Sequence, residues 1–356
     1  MAFELSLMPN ADKALQRHEA FWNQAIIDRV PIGISLPREN AAPVPTKNHS
    51  TYEEQWLDVE FRAEQMDAIL SAQEYPYDAF PIAWPNMGPE IFSVWCGCGY
   101  EYGPHTTWST PCIEDPDRDT AKLDMRHPLF QTTMRFTDLL LERGRGKFIT
   151  GLTDFHPGGD HLAALRDPAE LCIDVLERPE WIRKMLADSA AEFFAAYGAF
   201  AAKLQAAGQP LTSWLGMVHD GTYYIPSNDF SCMISPKQFE DLFLPGIQQE
   251  CRFYERSIYH LDGPGALQHL DALLEIPELD AIQWVPTEGT EGFCRWKKVY
   301  QKIQNAGKSI WMRIWASDID ELVTSMRPEG LYIAAIQGLS GRDELEAAVK
   351  RLSAWK

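Results

Sequence analysis

A histidine and an aspartate two residues apart are the residues of this sequence best suited to carry out chemistry. They lie in the segment Tyr259-His260-Leu261-Asp262-Gly263, at the end of an apolar run. Side chains alternate between the two faces of a strand, so His260 and Asp262 are expected to point to the same side. Such a pair can bind a divalent metal ion, or act as an acid/base pair in which the carboxylate orients the imidazole. The structural alternative is a hydrogen-bonded core histidine and an aspartate that caps the next helix.

Polar and aromatic side chains also follow several other strand candidates. Asp229 lies shortly after the fourth candidate, and we predict that it shares catalysis with His260 and Asp262. Two glycines follow Asp154 and His156, which would let a ligand approach the backbone closely. The structural alternatives are that Asp154 and His156 belong to a polar turn and that the tryptophans near strand ends serve only packing. The predicted substrate-binding residues are Asp154, His156, His219, Tyr223, Trp284 and Arg313.

Eight short apolar runs, separated by stretches with helical periodicity, predict the elements that position these residues. An alternation of eight strands with helices predicts a (β/α)8 TIM barrel, in which binding residues cluster at the carboxyl ends of the strands. A doubly wound open sheet would give a similar alternation. The strand candidates are 31–36, 77–84, 147–153, 211–217, 256–261, 279–285, 308–315 and 330–336, and the main helical stretches are 52–74, 178–207, 235–254, 291–306 and 341–355.

One segment interrupts this alternation. Residues 88–112 are rich in glycine and aromatic residues and predict a short β-hairpin inserted after the second strand. The segment contains Cys96-Gly97-Cys98, which we interpret as structural because no second Cys/His pair follows at zinc-site spacing. Since no segment resembles a linker longer than a loop, we predict a single domain over residues 1–356.

Composition excludes several classes of function. The formal net charge of −19 disfavours binding to nucleic acid or to an anionic membrane, because those interactions need clustered Lys and Arg. Seven cysteines without a regular framework indicate reduced thiols, and we expect a cytoplasmic protein. Runs of transmembrane length are not found in the sequence.

The segment from Asn228 to Val285 resembles the second half of the uroporphyrinogen decarboxylase-like superfamily. The resemblance rests on Asp229-Phe230-Ser231, Met233-Ile234-Ser235-Pro236, Leu244-Pro245, Tyr259-His260-Leu261-Asp262-Gly263 and Ile282-Gln283-Trp284. It implies a (β/α)8 barrel, and either a porphyrinogen decarboxylase or a corrinoid-dependent methyltransferase. The decarboxylases bind their many carboxylates with an Arg-rich strand end, where this chain has only Arg38 after the first strand. We therefore expect the methyltransferase branch.

The methyltransferases of that superfamily carry His-x-Cys at the end of the fifth strand, where zinc converts a thiol to a thiolate. Here His260 and Asp262 occupy these two positions, so a zinc ion held by them would be a stronger Lewis acid, better suited to polarising an oxygen. A third ligand would come from Asp229, His156 or His219.

The expected function is methyl transfer from a small methylated ether or amine to a corrinoid on a partner protein, with or without zinc. One alternative is a decarboxylase or lyase in which Arg313 anchors a substrate carboxylate. A second alternative is a non-catalytic ligand- or corrinoid-binding relative. A homodimer is left open.

Overall fold

The strands divide into a long set near the carboxyl terminus and a short set before it. The computed structural model of the protein describes residues 4–287, 289 and 292–355. Within these residues the strands are β1 Leu36–Pro37, β2 Gln73–Glu74, β3 Ile82–Ala83, β4 Gly99–Tyr102, β5 Thr107–Thr110, β6 Ile149–Thr150, β7 Leu211–Thr212, β8 Val218–His219, β9 Tyr223–Tyr224, β10 Arg256–Asp262, β11 Ala281–Val285, β12 Ser309–Trp315 and β13 Leu331–Gln337.

The helices lie between the strands, and their starts follow from local sequence. Asp167 and Ser235 each accept a hydrogen bond from a first-turn backbone N–H, and a proline follows each of them. Among the described residues the helices are α1 Ala11–Trp22, α2 Tyr52–Leu57, α3 Val59–Ser71, α4 Ile91–Trp95, α5 Pro128–Gly144, α6 Gly159–Arg166, α7 Pro168–Glu177, α8 Pro179–Ala206, α9 Pro236–Gln238, α10 Leu244–Phe253, α11 Leu270–Leu274, α12 Phe293–Asn305, α13 Ile319–Ser325 and α14 Arg342–Ser353.

The predicted helices are present with internal breaks, and the stretch predicted over 52–74 ends at Ser71, because Gln73–Glu74 form β2. Asp58 caps α3 by accepting from the N–H of Phe61, which splits the stretch predicted over 52–74. A π-helical turn over Phe239–Phe243 separates α9 from α10. The helix predicted over 291–306 is α12, and residue 291 lies outside the described residues.

A parallel sheet orders the second half of the chain. Five strands lie side by side in the order β13-β12-β11-β10-β9, and every neighbouring pair is parallel. The register aligns His260 with Gln283, and Gln283 with Trp311. The carboxyl ends of these strands therefore meet at one edge of the sheet, as a chain of βα units requires.

In the first half of the chain the pairing is fragmentary. β3 pairs with β6 in parallel, and an isolated parallel bridge joins Ile32 to Ile333. A single hydrogen bond runs from the Leu152 N–H to the Thr212 carbonyl. Prolines inside and beside the predicted strands, such as Pro31 and Pro81, have no N–H to donate to a ladder. The predicted mixed α/β fold with a parallel sheet is confirmed, but the described sheets are separate and do not close into a barrel.

Both faces of the parallel sheet are buried, which explains its nearly continuous apolar strands. On one face, Ile258 and Trp311 pack with Phe21 and Trp22 of α1. On the other face, the side chains that alternate with them pack against the helices: Tyr259, Ile282, Ile310 and Ile333. Helix α1 therefore covers the face that carries Ile258 and, two residues later, His260.

The predicted insertion is present between β3 and β6. β4 and β5 form an antiparallel hairpin, with Gly99 opposite Thr110. The preceding Ile91–Trp95, which we grouped with the hairpin strands, forms α4 instead and is fully buried. Within the described part of the chain, every helix is too short or too polar to traverse a lipid bilayer.

Candidate functional site

The imidazole of His260 is held in one orientation at the carboxyl end of β10. Its Nδ1 lies 2.6 Å from the Oε1 of Gln283, the residue opposite it on β11. An amide oxygen only accepts hydrogen bonds, so Nδ1 donates to it, and in the neutral imidazole Nε2 then carries the lone pair. The ring of Trp214 meets the imidazole edge to face, with 5.4 Å between centroids. This arrangement suits a metal ligand or a general base, both of which need an oriented ring with one free nitrogen.

Asp229 joins His260 and Asp262 at this end of the sheet. A bridge between Ser227 and His260 brings the short 3-10 helix Asp229–Met233 beside β10. Three potential ligand atoms lie within 4.8 Å of one another, one each from Asp229, His260 and Asp262. Burial and the charge of Asp160 raise the pKa of Asp229 to about 6. Its buried Oδ1 has no hydrogen-bond partner among the described residues, so one carboxylate oxygen is left for a ligand.

A second cluster shares Asp229. His156 lies in the loop after β6 in the left-handed region, with φ of 44°, and its Nε2 is 3.2 Å from Asp154 Oδ1. Burial alone would lower the pKa of His156, but the carboxylates of Asp154, Asp160 and Asp229 raise it to about 10. His156, Asp160 and Asp229 also offer ligand atoms within 4.8 Å of one another. His156 therefore adds a positive charge beside the carboxylates.

Asp160 supports the position of Asp229. It lies in the first turn of α6 and accepts from the Ser227 hydroxyl at 2.9 Å and from the Phe230 N–H at 3.0 Å. These two donors lie on either side of Asp229 in the chain. Asp160 at this helix start thus holds the turn that carries Asp229.

A cavity of about 400 Å³ lies beside His260 at the ends of β10–β13. This volume falls within the range of small-molecule sites. The guanidinium of Arg313 lies over the ring of Trp311, 5.6 Å from its centroid, and forms no ion pair with a carboxylate that the structure describes. Aromatic, amide and cationic side chains therefore share the wall, which includes Trp214, His260, Gln283, Trp311, Arg313 and Gln337.

Of the six predicted substrate-binding residues, Arg313 presents its side chain to this cavity, whereas Asp154, His156, His219 and Tyr223 do not line it. His219 contacts Glu19 at 2.9 Å and lies near Glu255, which precedes β10, so it is at the other end of that strand. Tyr223 is fully buried beside Trp22, and its hydroxyl accepts from Ser213. Trp284 borders the cavity, but its ring is buried against Trp296.

The reasons are topological. Trp284 alternates with Gln283, so its side chain lies on the helix-covered face. His219 follows β7 only after the chain has turned back, since β8 runs antiparallel to β7. His219 thus returns to the amino-terminal end of the sheet, and of the three third-ligand candidates only Asp229 and His156 lie in the clusters.

Sequence reasoning missed a buried acid behind the site. Glu250 of α10 is 4 % exposed, and its Oε2 has no partner among the described residues. It lines a cavity of about 20 Å³ with Asn228, whose side-chain amide is equally buried and unpaired within the described chain. One sequence signal was available: Glu250 falls on the apolar stripe of α10, three residues after the buried Ile247.

Replacement of Glu250 by glutamine is expected to flatten the pH dependence of stability. Burial, reinforced by Asp160, raises the pKa of Glu250 from 4.5 to about 8. Between pH 4.5 and pH 8, folding of the chain is accompanied by uptake of a proton on Glu250. The contribution of this proton to the free energy of unfolding is therefore complete below pH 4.5 and is lost as the pH rises through 8. The loss amounts to at most about 1.4 kcal/mol per pH unit. Urea unfolding at a series of pH values measures it.

The matched control is Glu240→Gln, which changes an exposed glutamate in the preceding π-helical turn. This variant is expected to keep the wild-type pH dependence. Equal slopes in wild type and in Glu250→Gln would contradict the assignment of a neutral carboxyl to Glu250.

Comparison with known proteins gives a likeness in fold. No protein-family model matches the sequence, and no curated protein sequence matches it. Among solved structures, the chain is similar to a methyltransferase from Methanosarcina mazei, with a TM-score of 0.57 and 12 % sequence identity. The match covers 96 % of this chain and 98 % of that one. At this identity the likeness concerns the course of the chain alone.

Proposed function

We propose that the protein is a methyltransferase-type enzyme that moves a methyl group from a small methylated ether or amine to a corrinoid on a partner protein. The observation that carries the proposal is the convergence of Asp229 and Asp262 on His260, which lines a cavity with aromatic walls. The likeness in fold to a methyltransferase supports it.

The same three residues fit a divalent metal such as zinc. The site combines an imidazole nitrogen with two carboxylates, and Gln283 orients the imidazole as an outer-shell acceptor commonly does. The unpaired Oδ1 of Asp229 is a further argument for a cation. When bound, such an ion would act as a Lewis acid on an ether oxygen or amine nitrogen of the substrate.

The side chains of the protein also have tasks of their own. Demethylation of an ether or amine leaves an oxygen or nitrogen that must gain a proton. In the metal-free form Asp229, with a pKa of about 6, can hold and release that proton near neutral pH. The rings of Trp214 and Trp311 can hold the apolar part of a substrate beside His260 and restrict access of water.

We further propose that the chain is one (β/α)8 barrel domain of the uroporphyrinogen decarboxylase-like superfamily. The parallel contacts that continue beyond the five-stranded sheet support closure: the bridge between Ile32 and Ile333 on one side, and the β3–β6 pair. A mouth at the carboxyl ends of the strands would then face a corrinoid-carrying partner.

The direct test is methyl transfer to free cob(I)alamin by the full-length protein. Methoxybenzene and trimethylamine serve as probes of the ether and amine classes, and the methylcobalamin spectrum reports the product. Formation of methylcobalamin with either donor, dependent on protein, supports the proposal. Absence of product with both donors, together with absence of bound metal, would overturn it in favour of a non-catalytic relative.

Arg313 favours a second candidate, a decarboxylase or lyase acting on a small carboxylated substrate. Its guanidinium lines the cavity and is not paired with a described carboxylate, so it can bind a substrate carboxylate. In this function the His260 and Asp262 pair would move a proton. Release of CO2 from a bound carboxylate, without methylcobalamin formation, would favour this candidate over methyl transfer.

The Arg313→Met variant is expected to bind aromatic carboxylates about 10- to 100-fold more weakly than the wild type. A hydrogen bond to a charged group contributes about 1.5–3 kcal/mol, which corresponds to that factor. Calorimetric titration of each protein with benzoate measures the change in affinity.

Arg295→Met is the matched control for the loss of benzoate affinity in Arg313→Met. Arg295 also lies over a tryptophan ring, 5.6 Å from the centroid of Trp296, but does not line the cavity. Benzoate affinity is expected to be unchanged in this variant. Equal affinities in all three proteins would remove Arg313 from the binding site.

A further inference from the structure

Two thiols flank the β4–β5 hairpin at its base. Cys98 directly precedes β4, and Cys112 follows β5, beyond the terminal Gly99–Thr110 pair. Gly97, with φ of 120°, turns the chain between α4 and Cys98 in a conformation that suits glycine. A Cβ at Gly97 would lie 3.8 Å from the Cys112 sulfur, so Cys112 faces this turn.

The two sulfur atoms are already in contact. Cys98 Sγ lies 3.8 Å from Cys112 Sγ. A disulfide bond is about 2.05 Å long, so the sulfurs must approach by about 1.8 Å. The Cys112 backbone is anchored, because its N–H donates to the Leu165 carbonyl at 3.0 Å. Rotation of the side chains therefore has to supply the approach.

The pair is asymmetric in reactivity. Cys112 is partly exposed, whereas Cys98 is buried. Cys98 Sγ lies within hydrogen-bond distance of both the Cys112 sulfur and the Ala164 carbonyl. A hydrogen bond from Cys98 to Cys112 lowers the pKa of Cys112 and raises that of Cys98. Burial raises the pKa of the neighbouring Cys96. The accessible thiol is thus the one that forms a thiolate more readily, as an attacking cysteine requires.

We propose that Cys98 and Cys112 form a reversible disulfide by exchange with a low-molecular-weight disulfide such as oxidised glutathione. The Cys112 thiolate attacks one glutathione sulfur, the S–S bond of the oxidant breaks, and a glutathione thiolate leaves. Cys98 then gives up its proton to solvent and attacks the Cys112 sulfur, which releases the second glutathione thiolate. The two cysteines lose two electrons, and the oxidant gains them.

The disulfide would cross-link the hairpin base beside α6. The N–H groups of Cys112 and Ile113 both donate to Leu165 of that helix, and Cys98 Sγ lies 3.5 Å from the Ala164 carbonyl. Because a cross-link restricts the unfolded chain, the oxidised protein is expected to unfold at a higher temperature. This inference does not depend on the proposed methyl transfer.

The test uses the full-length protein in a background of Cys232→Ser and Cys294→Ser, which removes the two exposed thiols. After incubation with oxidised glutathione, the intact protein is expected to be two hydrogen masses lighter. Peptide mapping without reductant is expected to join Cys98 to Cys112. Dithiothreitol should restore both the mass and the unfolding temperature.

Single serine variants separate the two roles. Cys98→Ser is expected to stop at the first step and retain one glutathione on Cys112. Cys112→Ser is expected to gain neither a glutathione nor a disulfide. Cys96→Ser is the matched control and is expected to form the disulfide as the parent protein does. A disulfide that includes Cys96, or two free thiols at Cys98 and Cys112 after oxidation, would overturn the proposal.

Discussion

Replacement of His260 by alanine is expected to lower the rate of methyl transfer by a factor of about 10²–10⁴ and to remove bound divalent metal. That factor is the typical contribution of a positioned acid or base. His260 is the nitrogen donor of the cluster with Asp229 and Asp262, and Gln283 fixes its orientation. Loss of the ring leaves two carboxylates, a weaker set for zinc. Metal analysis by mass spectrometry and the cobalamin assay measure the two effects.

His105→Ala is the matched control for this loss. His105 is exposed in the turn between β4 and β5, remote in the chain from the strand ends that line the cavity. Metal content and turnover are expected to remain at wild-type values. Wild-type turnover in His260→Ala would remove this histidine from the catalytic machinery. Equal metal content in both variants would remove it from the metal site but leave a role as an acid or base.

Replacement of Asp78 by asparagine is expected to destabilise the fold by about 3–5 kcal/mol. Asp78 is fully buried, and it accepts from Arg17 at 2.7 Å, from Arg29, and from the Ile32 N–H at 2.7 Å. The asparagine leaves the largely buried Arg29 without a described carboxylate partner and leaves Arg17 with Asp28 alone. Removal of one member of a buried ion pair costs an amount of this size. Urea unfolding at neutral pH measures it.

The control for charge removal is Asp117→Asn. Asp117 pairs with Arg178 at 2.9 Å, but its side chain is 73 % exposed. An exposed pair contributes less than about 1 kcal/mol, so a small change is expected. A comparable loss of stability in both variants would contradict the expectation that the buried ion pairs of Asp78 contribute more than an exposed pair.

The long parallel strands could be predicted because their local and tertiary requirements agree. β10–β13 are apolar on both faces, since α1 covers one face and helices cover the other. Such strands appear in a sequence as uninterrupted apolar runs. The short strands of the first half depend on a few hydrogen bonds between distant segments, for example Ile32 with Ile333, which no local pattern reveals.

The candidate site also has a part that could be predicted from the sequence and a part that could not. His260 and Asp262 belong to one strand, so the two-residue period alone puts them on one side, and the sequence by itself determined that much. Their partners come from other elements. The Ser227–His260 bridge and the Asp160 anchor bring Asp229 to the same place, and the reversal of β8 carries His219 away.

Charge and burial were decided only by the tertiary structure. The sequence shows acids in many places, but the pKa of an acid depends on what surrounds it. Glu250 became a buried acid because α10 turns it inward toward Asn228, and Asp229 titrates near pH 6 because burial and Asp160 disfavour its negative charge. The sequence by itself thus determined where the central His–Asp pair lies, and the packing of distant segments decided which acids and bases join it.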